Sequence, residues 1–205
     1  RFPGSVGLLA VSKLQSIEKI KAAIDAGQLN FGENYLQEAL PKIESVNDER
    51  VHWHFVGAVQ SNKAKQIAEH FSWVHSVDSF KVAKRLSDAR PSHLLPLNIC
   101  LQVNISEEET KAGVIADEVF NVAEKIASLP GLMLRGLMAI PKCMSVEREQ
   151  YHEFEKVAKL QSSLLRKGLS IDTLSMGMSN DFEMAIKAGS TMVRIGTMIF
   201  GERRK

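Results

Sequence analysis

A chain of 205 residues, of which 44% are hydrophobic and 24% charged, can bury one sizeable core and is short for two domains. Its formal net charge of +2 comes from 26 basic and 24 acidic residues, with no basic block before the final three residues, so nucleic acid is a disfavoured partner. No apolar run approaches the roughly 20 residues that span a bilayer, and residues 1–13 lack a signal-peptide layout. Cys100 and Cys143 stand apart from each other and from any histidine cluster. We therefore expect a cytoplasmic or organelle-matrix protein without a metal site.

Short apolar or β-branched runs alternate along the chain with longer amphipathic segments. Eight runs are predicted as strands, at 6–12, 28–33, 51–57, 73–78, 97–104, 132–140, 171–175 and 191–196. Seven helices are predicted between them, at 17–26, 35–46, 62–71, 79–89, 116–129, 146–167 and 181–188. This α/β alternation indicates a parallel sheet, and eight strands indicate a single closed (β/α)8 TIM barrel over residues 1–205. The alternative is an open doubly wound sheet, weakened because no Gly-x-Gly-x-x-Gly loop follows the first strand.

In such a barrel the C-terminal ends of the strands share one face, where ligand sites form. The loops after strands seven and eight, 175–181 and 194–201, carry glycines and hydroxyls. Each of these residues alone is common in ordinary turns, but two such loops at neighbouring strand ends favour a phosphate site. A helix predicted to begin near Asp181 adds a dipole that favours an anion. The residues concerned are Gly177, Ser179, Gly196 and Thr197.

Two inward-facing side chains on the strands have more than one interpretation. Arg194 shares a face with Gly196 and must find an acceptor inside the barrel, either a carboxylate in an ion pair or an atom of a ligand. His54 shares a face with His52 and Val56; a histidine satisfied within the core is the commoner situation, and contact with a ligand is the alternative.

The first strand ends on Lys13, an inward position opposite the two predicted phosphate loops. A lysine at a strand end is usually solvated. A lysine facing a phosphate site also suits pyridoxal 5'-phosphate (PLP), whose aldehyde forms a Schiff base with a deprotonated amine. On this interpretation Lys13 is the covalent anchor of the cofactor, held as an aldimine.

Eight segments together resemble the pyridoxal phosphate homeostasis protein family over nearly the whole chain. They are LLAVSK (8–13), FGENYLQEA (31–39), WHFVGAVQSNK (53–63), QVNIS (102–106), KAGV (111–114), RGLMAIP (135–141), SMGMSNDFEMAI (175–186) and STMVRIGTMIFG (190–201). The resemblance implies a barrel similar to the N-terminal domain of alanine racemase, with PLP bound through Lys13. Two departures are a missing N-terminal helix before the first strand and Ala58 in the loop after the third.

The same resemblance implies roles for further residues. Ser179, Gly196 and Thr197 would hold the phosphate with backbone groups around Gly177 and Met178, and Arg194 would face the pyridine nitrogen. Four others occupy motif positions near the ring, namely Asn34, His54, Asn104 and Met138.

The function implied is PLP homeostasis, in which the protein buffers or delivers the cofactor and affects amino-acid and keto-acid balance without efficient turnover. PLP-dependent apoenzymes are then possible recipients, and we expect a monomer. One alternative is a PLP-dependent racemase or related enzyme. Another is phosphosugar chemistry on a generic barrel, with Lys13 as a base or a carbonyl-binding amine.

Overall fold

Eight parallel strands close into a barrel in the order β1 to β8, and β1 completes the circle by pairing with β8. The computed structural model describes residues 6–106, 108 and 111–201. The strands are β1 Gly7–Val11, β2 Asn30–Glu33, β3 His52–Phe55, β4 Trp73–Val77, β5 Leu97–Val103, β6 Leu132–Ala139, β7 Thr173–Met178 and β8 Met192–Ile195. The predicted (β/α)8 barrel is therefore confirmed, and the open sheet was the wrong alternative.

The helices form the outer layer around the barrel. In the described part of the chain they are α1 Ile17–Asp25, α2 Leu36–Val46, α3 Ala64–His70, α4 Phe80–Ala89, α5 Val119–Ala127, α6 Glu147–Arg166, α7 Phe182–Lys187 and α8 Thr197–Phe200. Short 3₁₀ turns precede α3 and α5. Seven of these helices match the predicted segments, whereas α8, a single turn directly after β8, was not predicted. Within the described residues, none of the helices combines the length and the apolar character needed to cross a bilayer.

The core lies between the outer face of the strands and the apolar sides of the helices. In α6, for example, Phe154, Val157 and Leu164 are buried at helical spacing, while the opposite side carries charged residues. In β5, Ile99, Leu101 and Val103 alternate with Cys100 and are buried against the helical layer. This packing leaves the barrel interior to the other set of side chains.

The seventh strand is longer at its C-terminal end than the sequence indicated. It runs to Met178 rather than ending at Ser175, because Met176 continues the alternation and is fully buried. Gly177 takes a φ of +95° there, and a Cβ at this residue would lie 2.6 Å from the Cβ of Ala185 on α7. A glycine is therefore needed for the strand to reach this point with α7 packed beneath it.

Candidate functional site

A cleft of about 300 Å³ opens at the C-terminal end of the barrel, where all eight strands end on the same face. It brings together residues that are far apart in sequence, because the parallel strands converge there. Eight of the eleven predicted site residues line it, namely Lys13, Asn34, Met138, Met178, Ser179, Arg194, Gly196 and Thr197. Val11, Val56, Ile140 and Asn180 complete the lining.

Lys13 lies in a tight turn directly after β1. The N–H of Gln15 donates to the carbonyl of Ser12 at 3.0 Å, and Leu14 takes a φ of 60°, which is unusual for a residue with a side chain. Val11 and Lys13 both line the cleft, as expected from the alternation of β1. Lys13 therefore enters the cleft from the β1 side, with its backbone fixed by a turn.

The loops after β7 and β8 form the adjacent wall of the cleft, not the opposite one expected from the sequence, because β8 pairs with β1 when the barrel closes. The carboxylate of Asp181 accepts the Met178 N–H at 2.6 Å, so this N–H, one of the backbone donors expected around a phosphate, is already engaged. Ser179 is half-buried and Thr197 exposed, and both line the cleft. Thr197 begins α8, and the first N–H groups of a helix have no partner within it. The hydroxyl-bearing residues Ser179 and Thr197 thus line the same cleft as Lys13, on the neighbouring strand ends.

Gly196 permits this arrangement by letting the end of β8 approach β1. A Cβ at Gly196 would lie 3.2 Å from the carbonyl oxygen of Val11, closer than nearly all such contacts. A side chain here would require β1 and β8 to separate by a few tenths of an ångström at this point.

Arg194 forms part of the floor of the cleft and is only 6% exposed. Its Nη1 donates to the carbonyl oxygen of Ser175 at 2.5 Å and to the Ser175 hydroxyl at 2.8 Å, while Nη2 donates to the carbonyl of Ala139 at 3.1 Å. Among the described residues no carboxylate forms an ion pair with it, so the ion-pair interpretation is wrong. Burial lowers the pKa of Arg194 to about 10, which still leaves the guanidinium charged at neutral pH.

A chain of hydrogen bonds continues from Arg194 through the barrel interior. Ser175 Oγ lies 2.8 Å from His75 Nδ1, His75 Nε2 lies 2.9 Å from His54 Nδ1, and His54 Nε2 lies 3.1 Å from Asn30 Oδ1. The Arg194 guanidinium only donates and the Asn30 oxygen only accepts. With both histidines neutral, every bond of the chain is satisfied when each histidine carries its proton on Nε2.

The surroundings of the two histidines favour this neutral state. Both are fully buried, and burial is the main cause that lowers the pKa of His75 to about 3 and that of His54 well below its ordinary value. The neighbouring charge of Arg194 lowers the pKa of His75 further.

Three predicted residues lie outside the lining of the cleft. His54 lies two residues before Val56 on the same face of the third strand, and is therefore deeper in the barrel. Its side chain contacts His75 and Asn30 and does not line the cleft. The Asn104 side chain binds the carbonyls of Glu108 and Lys111 and accepts the Glu108 N–H, which folds the loop after β5. Gly177 is buried beneath the β7 loop. Their contact with a ligand stays a prediction.

Asn34 has a special position because it borders two cavities. It lines the main cleft and also a neighbouring chamber of about 350 Å³ that includes Tyr35, Gln60 and Lys63. Its backbone is held close to the end of β3, since a Cβ at Gly57 would lie 2.0 Å from the Asn34 carbonyl oxygen. Its buried Oδ1 has no hydrogen-bond partner among the described residues.

The interior residues Asn30 and His75 were not predicted as part of the site, and Ser175 was predicted only as the start of the loop after strand seven. The alternation of β4 and β7 marks His75 and Ser175 as polar side chains in apolar strands, which was the available signal. Their pairing could not be read from it, since the two residues are 100 positions apart and meet only when the barrel closes.

Comparison with known proteins assigns the chain to a family. The family model described as alanine racemase, N-terminal domain, matches residues 3–204. The pyridoxal phosphate homeostasis protein of Vibrio alginolyticus is 55% identical over 207 residues, covering 99% of this chain and 89% of the relative. That of Escherichia coli K12 is 49% identical over 206 residues, covering 99% and 88%.

Solved structures agree with this assignment. PipY of Synechococcus elongatus PCC7942, solved with PLP bound, superposes with a TM-score of 0.89 at 36% identity, covering 98% of this chain and 95% of PipY. Alanine racemase of Clostridium difficile 630 superposes with a TM-score of 0.81 at 13% identity over 99% of this chain and 57% of the racemase, which shows a shared fold. The chain therefore belongs to the pyridoxal phosphate homeostasis protein family, whose barrel is that of the alanine racemase N-terminal domain.

Proposed function

We propose that this protein binds PLP in the cleft through Lys13 and acts in intracellular PLP homeostasis, as a buffer or donor of the cofactor. The observation that carries the proposal is that one cleft is lined by Lys13, by Ser179 and Thr197, and by the nearly buried Arg194. An amine, an anion site and a cationic donor are the three groups that recognise the aldehyde, the phosphate and the ring of PLP.

The donors at the ends of β7 and β8 suit a phosphate. Ser179 and Thr197 carry hydroxyls in two short loops that line the cleft, and α8 begins at Thr197. Hydrogen bonds from such donors to a charged oxygen are stronger than those between neutral groups. We propose that these residues hold the phosphate, so the affinity for PLP depends on them whether or not the aldehyde reacts with Lys13.

Lys13 supplies the covalent step. With PLP bound, the neutral Nζ of Lys13 would bond to the aldehyde carbon, and the aldehyde oxygen would leave as water with the two protons of the amine. A second primary amine can replace Lys13 by the same exchange. The covalent link is therefore reversible, as a buffer or donor requires.

Arg194 faces the pyridine nitrogen in this proposal. A guanidinium can only donate a hydrogen bond, so the nitrogen opposite it must be an unprotonated acceptor. An unprotonated ring withdraws electrons less strongly from a bound amine. This feature narrows the chemistry of a bound amine without excluding racemisation, because the resemblance implies the same contact in alanine racemase.

The family name of the relatives and the PLP bound to PipY support the same role. We extend it to a cytoplasmic, monomeric protein whose recipients are PLP-dependent apoenzymes. The chemistry of transfer restricts recipients to proteins that offer a primary amine to the aldehyde, which PLP-dependent apoenzymes do with their own lysine.

Borohydride reduction of the yellow holoprotein followed by peptide mapping tests the proposal. The label should appear on Lys13, and Lys13→Ala should lose both the visible absorbance and the label. Lys63→Ala is the matched control, since Lys63 lines the neighbouring chamber. Full colour in Lys13→Ala with a label on another lysine would contradict the assignment.

A further inference from the structure

Behind the turn that carries Lys13 lies a buried cluster of charged side chains that the cleft does not use. Glu33 is fully buried, and the Lys42 side chain is 7% exposed. Lys42 Nζ lies 2.8 Å from Glu33 Oε1 and 2.5 Å from Glu38 Oε1, and it also donates to the Ser12 carbonyl at 2.8 Å. The cluster therefore joins the end of β2 and helix α2 to the end of β1.

Such a cluster is costly in a core. A buried ion pair gains little over well-packed apolar residues, because both charges lose their hydration. Burial raises the pKa of Glu33 despite the hydrogen bonds from Lys42 and Ser12, and its Oε2 is buried without a hydrogen-bond partner among the described residues. Stability alone does not account for these residues, and their contacts point to a role in positioning.

Their contacts fall on both sides of Lys13. On one side, the Ser12 hydroxyl donates to Glu33 Oε1 at 2.6 Å, and the Ser12 carbonyl accepts from Lys42. On the other side, the Leu14 N–H donates to Glu38 Oε1 at 2.5 Å. Ser12 is thus bound to Glu33 and Lys42, and Leu14 to Glu38, which are members of one cluster.

The backbone of the turn requires this support. Leu14 occupies the left-handed region at a φ of 60°, a conformation that favours glycine, and its side chain is largely exposed. A residue in that conformation persists only where its surroundings hold it. The hydrogen bond from Leu14 to Glu38 and the bonds of Ser12 supply that constraint.

We propose that Glu33, Glu38 and Lys42 form a clamp that positions the Lys13 turn, so that the clamp controls how fast the Lys13 amine attaches to the PLP aldehyde while phosphate recognition is left to the loops after β7 and β8. The inference rests on the proposed attachment at Lys13. These are positioning residues, since they act through the backbone of Ser12 and Leu14.

Two probes separate attachment from recognition. PLP itself reports attachment through the visible absorbance of the Lys13 adduct, in which the amine nitrogen replaces the aldehyde oxygen and water leaves. Pyridoxine 5'-phosphate carries the same ring and phosphate without an aldehyde, so its affinity reports recognition alone. Hydrogen exchange of the peptide containing residues 12–15 reports the order of the turn without any ligand.

Glu38→Ala is the main variant, because the Glu38 side chain is 24% exposed and its removal leaves the Glu33–Lys42 pair intact. We expect attachment to slow by about ten- to a hundredfold, as a misplacement of about 1 Å does to a reacting group. Pyridoxine 5'-phosphate affinity should change less than about twofold, and exchange at Leu14 should accelerate. Glu38→Gln, which keeps an acceptor for the Leu14 N–H, should recover most of the rate.

Glu44→Ala is the matched control, an exposed acidic residue on the same helix, and should behave as wild type. Glu33→Gln tests the buried half of the clamp. Thermal melting first establishes that the variant is folded, and its attachment rate is then compared with that of wild type. Equal loss of attachment and of pyridoxine 5'-phosphate affinity in Glu38→Ala, or attachment at the wild-type rate, overturns the clamp. Failure of wild type to attach PLP at Lys13 would instead refute the proposed function, and the exchange comparison would still decide whether the clamp holds the turn.

Discussion

The guanidinium of Arg194 is held by Ser175, whose carbonyl oxygen and hydroxyl both accept from the Nη1 atom, at 2.5 and 2.8 Å. This contact joins β8 to β7 beneath the cleft and fixes the direction in which Arg194 points. The Ser175 hydroxyl in turn donates to His75, so one small side chain aligns the cleft floor with the barrel interior.

Ser175→Ala should therefore weaken both the fold and the site. The change leaves the His75 Nδ1 acceptor and one Arg194 donor without a buried partner, which costs about 1–3 kcal/mol of unfolding free energy. PLP affinity should fall by about tenfold as Arg194 loses its orientation. Chemical denaturation and equilibrium titration with PLP measure the two effects.

Ser87→Ala is the control for this variant. Ser87 is also buried and donates to the Pro130 carbonyl, but it lies on α4 away from the cleft. It should lose stability and keep its PLP affinity. Unchanged affinity in Ser175→Ala would show that Arg194 is positioned by its carbonyl contacts alone.

The double variant Ser179→Ala, Thr197→Ala tests the proposed phosphate wall. Each lost hydrogen bond to a charged group is worth about 1.5–3 kcal/mol, or one to two decades of affinity. We expect PLP retention to fall accordingly, with a smaller effect on unfolding because both residues lie at the cleft surface. Ser162→Ala, on the exposed side of α6, is the control. Wild-type affinity in the double variant would move the phosphate elsewhere.

The buried histidines predict a loss of stability in acid. His54 and His75 stay neutral in the folded protein, with the pKa of His75 at about 3, whereas unfolded imidazoles take up a proton below about 6.5. The unfolded state thus binds more protons as the pH falls from about 6.5 towards 3. The free energy of unfolding should drop by about 1.4 kcal/mol per pH unit for each histidine.

Denaturant titrations of wild type and His75→Asn between pH 7 and pH 4.5 isolate this effect. The raised pKa of Glu33 has the opposite sign, since the folded state then holds the extra proton, but it is common to both proteins. The free energy of unfolding should fall more steeply with decreasing pH in wild type than in His75→Asn, by the equivalent of about one proton. His93→Gln, which changes an exposed histidine, should retain the wild-type slope. Equal slopes in all three proteins would contradict a neutral His75.

The barrel was predictable because its signal is local. Apolar runs of strand length alternate with amphipathic segments, and each element can be recognised within its own stretch of chain. The helix α8 escaped prediction because Thr197–Phe200 is too short to show helical periodicity and continues the apolar run of β8. Hydrophobic pattern alone cannot separate a strand end from one helical turn.

The cleft residues were predictable for a related reason, since strand ends of a parallel barrel must converge. Lys13, Ser179 and Arg194 follow from the ends and faces of three strands. The Arg194–Ser175–His75 chain and the clamp behind Lys13 depend on register and on which helix packs where. Those pairings are fixed by closure of the barrel, and no local pattern encodes them.

The last prediction is that the holoprotein has no efficient racemase turnover. Racemisation requires a second acid or base on the face of the substrate opposite the lysine, and the resemblance to racemases assigns that role to a tyrosine of an additional domain in a partner subunit. The two tyrosines here are Tyr35, which is 55% exposed beside the neighbouring chamber, and Tyr151, half-buried on α6. Neither residue lines the cleft itself.

Arg194, if it faces the pyridine nitrogen, weakens the ring as an electron sink. Because the resemblance implies the same feature in alanine racemase, it narrows the chemistry without forbidding racemisation. Exchange of Lys13 for a free amine needs no carbanion and should continue. Incubation with each enantiomer of alanine in deuterated water therefore should release Lys13 from the cofactor while the α-hydrogen and the chirality persist. Tyr35→Phe tests whether Tyr35 reaches the cleft and acts as the second acid or base. In that case wild type would show slow exchange of the α-hydrogen, and the variant would show none. Inversion by wild type at an ordinary enzymatic rate, on the order of 1 s⁻¹ or above, would replace the homeostasis role with that of a racemase.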